Sequence, residues 1–277
     1  MEVRLINTGN FKLDGGAMFG VVPKSLWQRT NPADENNLCS WAMRSLVIHD
    51  GDRIIMVDNG IGDKQSENFL KHYHLHGEDN LSKNLRELGI NEDEVTDMML
   101  THLHFDHCGG SIKYENDKLV PTFKNARYWS NANHWQWATQ PNNREKASFL
   151  KENINPIEES GQLNFVSFEN QQDLPFEVIF LDGHTEKQML PKIKYKGHTL
   201  VFTADLIPSV GHIPLPYVMG YDVRPLITMK EKAAFLKEAA DNNYILVFQH
   251  DSVNECCTVK HTEKGVRVDQ IFPFSEL

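Results

Sequence analysis

The feature that most constrains this chain is a cluster of metal-ligand residues directly after a short apolar run. Residues 101–110 read Thr-His-Leu-His-Phe-Asp-His-Cys-Gly-Gly, and the four potential ligands are His102, His104, Asp106 and His107. The preceding run, 95–100, has the apolar character of a buried strand. A lone His-x-His is usually a surface turn, whereas four imidazole and carboxylate groups behind a strand indicate a site for zinc or a similar divalent metal.

The spacing within this motif predicts two metal positions. Residues i and i+2 of a tight turn can point the same way, so His102 and His104 can hold one ion. Asp106 and His107 then fall at the start of the next helix, where they can face a second ion. Gly109 and Gly110 permit close backbone packing behind the loop.

Three further residues of ligand type follow predicted strands in the second half of the chain. The strands and the residues at their ends are 177–181 with His184, 199–203 with Asp205, and 244–248 with His250. Strand ends that converge on one edge of a sheet are where open α/β folds build their sites. Each residue alone would more often be structural, but their shared placement predicts that all three join the metal site.

The remaining pattern predicts further strands and helices. We expect a strand at 3–8 and a hairpin at 46–58 with its turn at Asp50-Gly51. The helices that we predict are 81–88, which stops at Gly89, 131–138, 144–153 and 229–240.

Length and composition exclude several classes of protein. The 277 residues fit a single large domain, 1–277, and no apolar stretch approaches the ~18–20 residues that span a bilayer. We see no signal peptide. The net charge of −10 comes without a basic stripe, which disfavours nucleic-acid partners. The lack of an apolar spanning stretch disfavours a membrane partner. Four cysteines without framework spacing favour reduced thiols and a cytoplasmic protein.

The motif at 102–107 resembles the signature of the metallo-β-lactamase superfamily, and His184, Asp205 and His250 appear in the order that this family has. The resemblance implies an α/β fold, the αββα sandwich, with two mixed β-sheets flanked by helices. It also implies that His102, His104 and His184 hold one metal, that Asp106, His107 and His250 hold the other, and that Asp205 bridges both. Histidine at position 104 favours the hydrolytic branch over redox diiron proteins.

Within the superfamily the chain most resembles quorum-quenching N-acyl-homoserine lactonases and the related methyl-parathion-hydrolase-like proteins, through segments 15–24, 103–110 and 205–217. This resemblance implies two divalent ions, with Zn²⁺ as the first expectation, and a metal-bridging hydroxide that opens the lactone ring. Asp106 would deliver a proton to the leaving alkoxide. The residues that we predict to contact substrate are Met18, Phe19, Phe105 and His212, with Trp27 also near an acyl-chain pocket. A homodimer is a further expectation.

Two departures from these lactonases limit the transfer. Some of them carry a tyrosine three residues after the bridging aspartate, where this chain has Pro208. The second histidine motif continues as Glu186-Lys187-Gln188 rather than the Pro-Gly of many members. The first departure leaves two alternatives open: another group, such as His212 or Tyr217, contacts the lactone carbonyl, or the substrate differs. The second departure leaves open the local loop shape but not the ligand.

Three other interpretations of the same ligands remain open. A phosphotriesterase or arylesterase could use the same two metals, a nuclease would need a basic groove, and a non-catalytic metal-binding protein would normally lose ligands.

Asp58 is a candidate hydrogen-bond partner for a metal-bound histidine. We interpret His72, His74 and His76 as a surface segment, and find no partner in the sequence for His134.

Overall fold

The structure is a computed structural model that describes residues 1–169 and 171–277. Its strands, numbered in chain order, are β1 (Glu2–Asp14), β2 (Leu38–Asp50), β3 (Arg53–Val57), β4 (Asp97–Met99), β5 (Ile112–Glu115), β6 (Lys118–Pro121), β7 (Arg127–Ser130), β8 (Leu163–Phe165), β9 (Glu177–Leu181), β10 (Gln188–Tyr195), β11 (His198–Phe202), β12 (Ile245–Val247), β13 (Cys256–Thr262) and β14 (Gly265–Phe272).

The helices are mostly short. They are α1 (Gly15–Phe19), α2 (Lys24–Trp27), α3 (Glu67–Leu70), α4 (Leu81–Glu87), α5 (Phe105–Cys108), α6 (Ala132–Thr139), α7 (Lys151–Glu159) and α8 (Pro225–Asp241). Single 3₁₀ turns occur at Glu92–Glu94, Gly109–Ser111, Val210–His212 and Phe274–Glu276.

The chain divides into two compact units. The first comprises Met1–Asn10 and Met43–Pro175, and the second comprises Phe11–Ala42 and Phe176–Leu277. The prediction of one domain over 1–277 stays a prediction.

The first unit is built on a mixed sheet with the strand order β1-β2-β3-β4-β7-β8. The hairpin β2–β3 is antiparallel, whereas β3, β4, β7 and β8 run parallel to one another. Buried side chains from α4, α6 and α7, among them Leu85, Trp135 and Ile157, pack in one core with Met56 and Met98 of the sheet. These helices therefore flank the sheet whose strand β4 precedes the predicted ligand motif.

The second unit is built on a sheet with the order β14-β13-β12-β11-β10-β9. Strands β11 and β12 are parallel and the other pairs are antiparallel. Helix α8 packs against β13 and β14 and buries Phe235, Leu236 and Ala239. Mixed sheets flanked by helices confirm the fold class that the sequence predicts.

Most predicted elements are present with shifted ends. The hairpin turn lies at Gly51-Asp52 rather than Asp50-Gly51, because Asp50 pairs with Arg53 across the ladder. Gly51 has φ 60°, a left-handed conformation that glycine adopts without strain. The predicted helix 229–240 begins earlier, at Pro225, which is favourable in the first turn because proline needs no amide partner there.

The predicted helix at 144–153 is wrong. The helix in this region, α7, begins at Lys151. The Asn142 side-chain oxygen accepts hydrogen bonds from the amides of Arg144 and Glu145, at 2.8 and 3.1 Å. Such a local side-chain turn competes with helix formation, so residues 144–147 form turns instead.

No helix within the described residues is both long and apolar enough to cross a bilayer. All four cysteines are buried and none is in a disulfide.

Candidate metal centre

The predicted ligand motif follows strand β4 in the first unit. His102 and His104 lie in the loop after the strand, and Asp106 and His107 lie on the short helix α5. All four are buried. Behind them, a Cβ atom at Gly109 would lie 2.1 Å from the backbone oxygen of Ile61. A larger residue at this position would therefore push the loop out of place.

A hydrogen-bond chain fixes which nitrogen of His102 faces the motif. The Thr101 hydroxyl donates to Asp58 Oδ2 at 2.7 Å, so its oxygen can accept from His102 Nδ1, 3.1 Å away. This arrangement puts the ring proton on Nδ1 and leaves a lone pair on Nε2. That lone pair faces His104 Nδ1 across 3.1 Å.

His104 has a carboxylate on its other side. Glu145 Oε1 lies 3.4 Å from His104 Nε2, and both side chains are buried. A carboxylate at this nitrogen favours the proton there and leaves a lone pair on Nδ1. Two lone pairs that face each other at 3.1 Å repel unless a cation lies between them. Two tetrahedral ligands of a Zn²⁺ ion would be ~3.3 Å apart, so the pair fits a metal position.

His107 is oriented by the predicted partner Asp58. Its Nδ1 lies 3.0 Å from Asp58 Oδ2, while its Nε2 lies 3.6 Å from Asp106 Oδ2. The amide of Thr101 also donates to Asp58, at 2.7 Å. Asp58 therefore contacts both Thr101 and His107, and His107 directs Nε2 toward the Asp106 carboxylate.

The second unit brings together the other three predicted ligands. His184 follows β9, Asp205 follows β11 and His250 follows β12. Asp205 Oδ2 lies 3.1 Å from His184 Nε2, and Oδ1 lies 3.1 Å from His250 Nε2. The two oxygens of one carboxylate thus face two different histidines, which is the geometry of a carboxylate that bridges two cations.

The outer ring nitrogens of both histidines are engaged. His184 Nδ1 lies 2.9 Å from Asp222 Oδ1, and His250 Nδ1 donates to the backbone oxygen of Ala42 at 2.8 Å. Burial lowers the pKa of His184, but the Asp205 and Asp222 carboxylates outweigh it and raise the pKa to about 10. The field at this ring therefore stabilises positive charge, and the same field favours a divalent cation.

Ion pairs hold the loop that carries His184, where the sequence departs from Pro-Gly. Lys187 has φ 49°, a conformation that favours glycine, and its Nζ lies 2.7 Å from Asp182 Oδ2. Arg224 lies 2.7 Å from Glu186 Oε2. Glu231 of α8 accepts from the amides of Asp182 and Gly183 at 2.7 and 3.0 Å. Charged groups thus replace the backbone restriction that Pro-Gly would supply.

Of the residues that we predict to contact substrate, Phe105 lies beside the predicted ligand Asp106. Its ring packs against Tyr73 and Phe69, with centroids 4.6 and 5.3 Å away. This aromatic group belongs to the first unit and extends from α3 to α5.

The other predicted contacts, Met18, Phe19 and His212, are buried in the second unit. Phe19 stacks between Trp27 and His212, at 5.2 and 4.3 Å. His212 Nδ1 lies 2.8 Å from Ser209 Oγ and Nε2 lies 2.9 Å from the Met18 oxygen. Both ring nitrogens therefore have internal partners, and substrate contact by these three residues stays a prediction.

Sequence reasoning missed several supporting residues. Asp222 and Glu145 contact predicted ligands but lie 38 and 41 positions from them along the chain. His134, for which we find no partner in the sequence, accepts a hydrogen bond from the amide of Leu103 at 2.9 Å. No local sequence signal marks these residues. The segment with His72, His74 and His76 is exposed, as expected for a surface segment.

A sequence profile of the metallo-β-lactamase superfamily matches residues 44–250. No curated protein matches the chain by sequence. Among solved structures, a probable metal-dependent hydrolase from Staphylococcus aureus is 26% identical, with a TM-score of 0.85 and coverage of 100% of this chain and 98% of that one.

Two other solved structures share the fold at lower identity. AidC, a dizinc quorum-quenching lactonase in complex with a product, is 19% identical, with a TM-score of 0.80 and coverage of 98% and 95%. The hydrolase AbOPH of the β-lactamase superfamily is also 19% identical, with a TM-score of 0.78 and coverage of 98% and 94%.

Proposed function

Because the chain belongs to the metallo-β-lactamase superfamily, we propose that it is a dinuclear metal-dependent hydrolase that opens the ring of N-acyl-homoserine lactones. The observation that carries the proposal is the Asp205 carboxylate, whose two oxygens each face the Nε2 of a different histidine. A single carboxylate arranged in this way suits two adjacent cations, as two-metal hydrolases require.

The proposed ligand sets are those that the resemblance to the superfamily implies. His102, His104 and His184 would hold one divalent ion, Asp106, His107 and His250 would hold the other, and Asp205 would bridge them. Imidazole with carboxylate suits Zn²⁺ first, although manganese, cobalt and iron tolerate similar ligands. The support is that, within the units, paired donor atoms lie within 4.8 Å of each other, as for His102 with His104, Asp106 with His107, and His184 with Asp205.

When bound, two such ions supply Lewis acidity and make a water molecule acidic enough to be a nucleophile near neutral pH. The chain contributes the rest. Asp106 would hold a proton and deliver it to the departing alkoxide oxygen. Phe105, with Phe69 and Tyr73 packed on it, would offer an apolar surface to the acyl chain. We also propose Met18, Phe19 and His212 as residues that would contact the substrate.

The lactone is proposed from the similarity to proteins that bind such products. AidC is described in complex with an N-hexanoyl-L-homoserine product, and a further lactonase, 16% identical, has the same product at its catalytic metal centre. These descriptions concern those proteins, so the acyl length for this chain is part of the test. A homodimer is likewise proposed, and light scattering of the purified protein would measure it.

The decisive experiment is a pH-indicator assay of acyl-homoserine lactone hydrolysis with zinc-loaded wild type and Asp205→Asn. We expect acid release by wild type and its loss in the variant. A wild type that carries two metals yet releases no acid would reject the lactone. Phosphotriesters and aryl esters would then be the next substrates, since the same ligands serve both reactions.

Asp106→Asn tests the proton-transfer role separately. If metal content stays at two ions and lactone hydrolysis falls, the carboxylic acid acts in the reaction. Full activity in a metal-loaded variant would remove Asp106 from that role.

A further inference from the structure

Glu145 is a buried carboxylate whose two oxygens contact different groups. Its Oε2 accepts hydrogen bonds from Trp137 Nε1 at 2.7 Å and from Asn142 Nδ2 at 2.6 Å. Its other oxygen, Oε1, lies 3.4 Å from His104 Nε2. Two neutral donors therefore fix one oxygen, and the other is turned toward a predicted metal ligand.

The segment around Glu145 holds the ligand loop at other points. The amide of Phe105 donates to the backbone oxygen of Ser148 at 3.0 Å. The Phe149 ring packs on His104, with ring centroids 4.8 Å apart. The segment 142–149 thus contacts both the backbone of the ligand loop and the ring of His104, and these contacts restrict rotation of that ring.

We propose that Glu145 is a positioning residue that selects the tautomer of His104, keeping the proton on Nε2 and leaving Nδ1 available to a metal ion. The inference rests on the proposed function for the identity of the ligand, but its tautomer claim concerns the metal-free chain alone. His104 Nδ1 is the atom that faces His102 Nε2, so the proton on the opposite nitrogen decides whether these two rings can hold one cation.

The contacts of Glu145 make a specific prediction for Glu145→Gln. Trp137 and Asn142 both donate to Oε2, so the amide oxygen of glutamine would take that position and its NH₂ group would face His104. An NH₂ group requires an acceptor, and it would favour a lone pair on Nε2. The proton would then move to Nδ1, and the nearly isosteric change would remove a metal-binding nitrogen without removing the ring.

The control is Asp97→Asn, which neutralises another buried carboxylate of the same unit. Asp97 lies within 3.0 Å of Arg53 and Arg127 and accepts from Trp129, and none of these residues is a predicted ligand. The control therefore reports the general effect of losing a buried negative charge near β4.

The experiment has two readouts on wild type and both variants. The first is ¹⁵N NMR of the histidine rings in chelator-treated protein, which reports the tautomer. The second is competition with a chelator for zinc, which reports affinity at each position. We expect Glu145→Gln to move the His104 proton to Nδ1 and to weaken one of two zinc sites by about 10- to 100-fold. Asp97→Asn should change neither property.

An unchanged Nε2 proton in folded Glu145→Gln would overturn the proposal, as would two zinc sites of wild-type affinity. If the wild type binds no zinc at all, the proposed function fails, whereas the NMR result still decides the tautomer claim. A variant too unstable for NMR is replaced by Glu145→Asp. We expect this shorter carboxylate to keep the Nε2 proton, and loss of that proton would also overturn the proposal.

Discussion

Asp205 presents its two carboxylate oxygens to two different rings, His184 and His250, each at 3.1 Å from Nε2. Because both histidines use Nδ1 for other hydrogen bonds, their Nε2 atoms remain directed at this one carboxylate. The position of each of these three proposed ligands therefore depends on the other two.

We expect Asp205→Asn to lower kcat/KM for the best lactone by at least ~100-fold and to reduce the bound zinc below two ions per chain. An amide has only one oxygen, so it cannot face both histidines as an acceptor. Steady-state kinetics and elemental analysis of the same preparation provide the measurement. Asp241→Asn is the control, because Asp241 is an exposed carboxylate of the same unit that pairs with Lys237 and His261 and is not a proposed ligand; this variant should retain both ions.

Asp222→Asn should lower the pKa of His184 in the metal-free chain from its value of about 10. The change removes one of the two carboxylates that stabilise the protonated ring, while burial continues to lower the pKa. The same change should weaken zinc binding by about 10- to 100-fold, as expected when the carboxylate partner of a metal-binding histidine is removed. NMR titration and chelator competition measure the two effects. An unaltered His184 titration would contradict this account of the ring.

Lys187 allows a direct test of backbone strain in the His184 loop. Both Lys187→Gly and Lys187→Ala lose the ion pair with Asp182, but only glycine relieves the cost of φ 49°. We therefore expect the glycine variant to be more stable than the alanine variant by about 1 kcal/mol. Urea denaturation of both variants gives the difference in free energy of unfolding. Equal stabilities would mean that the loop changes conformation when the lysine is removed.

His212 should make the protein less stable in acid. Burial lowers the pKa of His212 to about 3, against 6.5 for an ordinary histidine, so the unfolded chain takes up a proton that the folded chain does not. The free energy of unfolding should fall as the pH drops from 6.5 toward 3, by at most about 1.4 kcal/mol per pH unit from this residue. Above pH 6.5 both states are neutral and the contribution is constant.

Denaturation of chelator-treated wild type and His212→Gln between pH 7.5 and 4.5 checks this prediction. We expect the difference between the two proteins to narrow as the pH falls, since glutamine does not titrate. A difference that is independent of pH would show that the pKa of His212 is the same in the folded and unfolded chains, which would contradict the lowered pKa. A rise in KM with little change in stability would instead support the predicted substrate contact.

The ligand motif could be predicted from sequence because its residues are close together and follow a strand. His184, Asp205 and His250 could also be predicted from the sequence, since each follows an apolar run that forms β9, β11 or β12. In these cases local sequence determines both the element and the position of the polar residue at its end.

The groups that orient the ligands could not be predicted in the same way. Asp222 precedes α8, and Glu145 lies in a turn stabilised by Asn142, at a place where the sequence pattern wrongly predicts a helix. Their roles depend on tertiary packing that brings distant segments to a histidine ring. Asp58 differs from these two, because the sequence suggests it by its place after β3 and before a glycine-containing turn.

Gly109 and Phe69 lie in the first unit, and we expect substitutions to be tolerated at Phe69 but not at Gly109. Any side chain at Gly109 would collide with the backbone oxygen of Ile61, whereas Phe69 is only half-buried and packs edge-on against the Phe105 ring. The loop that carries the predicted metal ligands therefore cannot accept a larger residue at Gly109 without moving, while the aromatic surface beside it can vary. Divergence of substrate preference should accumulate at positions such as 69 and 73, and the metal-binding framework should be inherited unchanged.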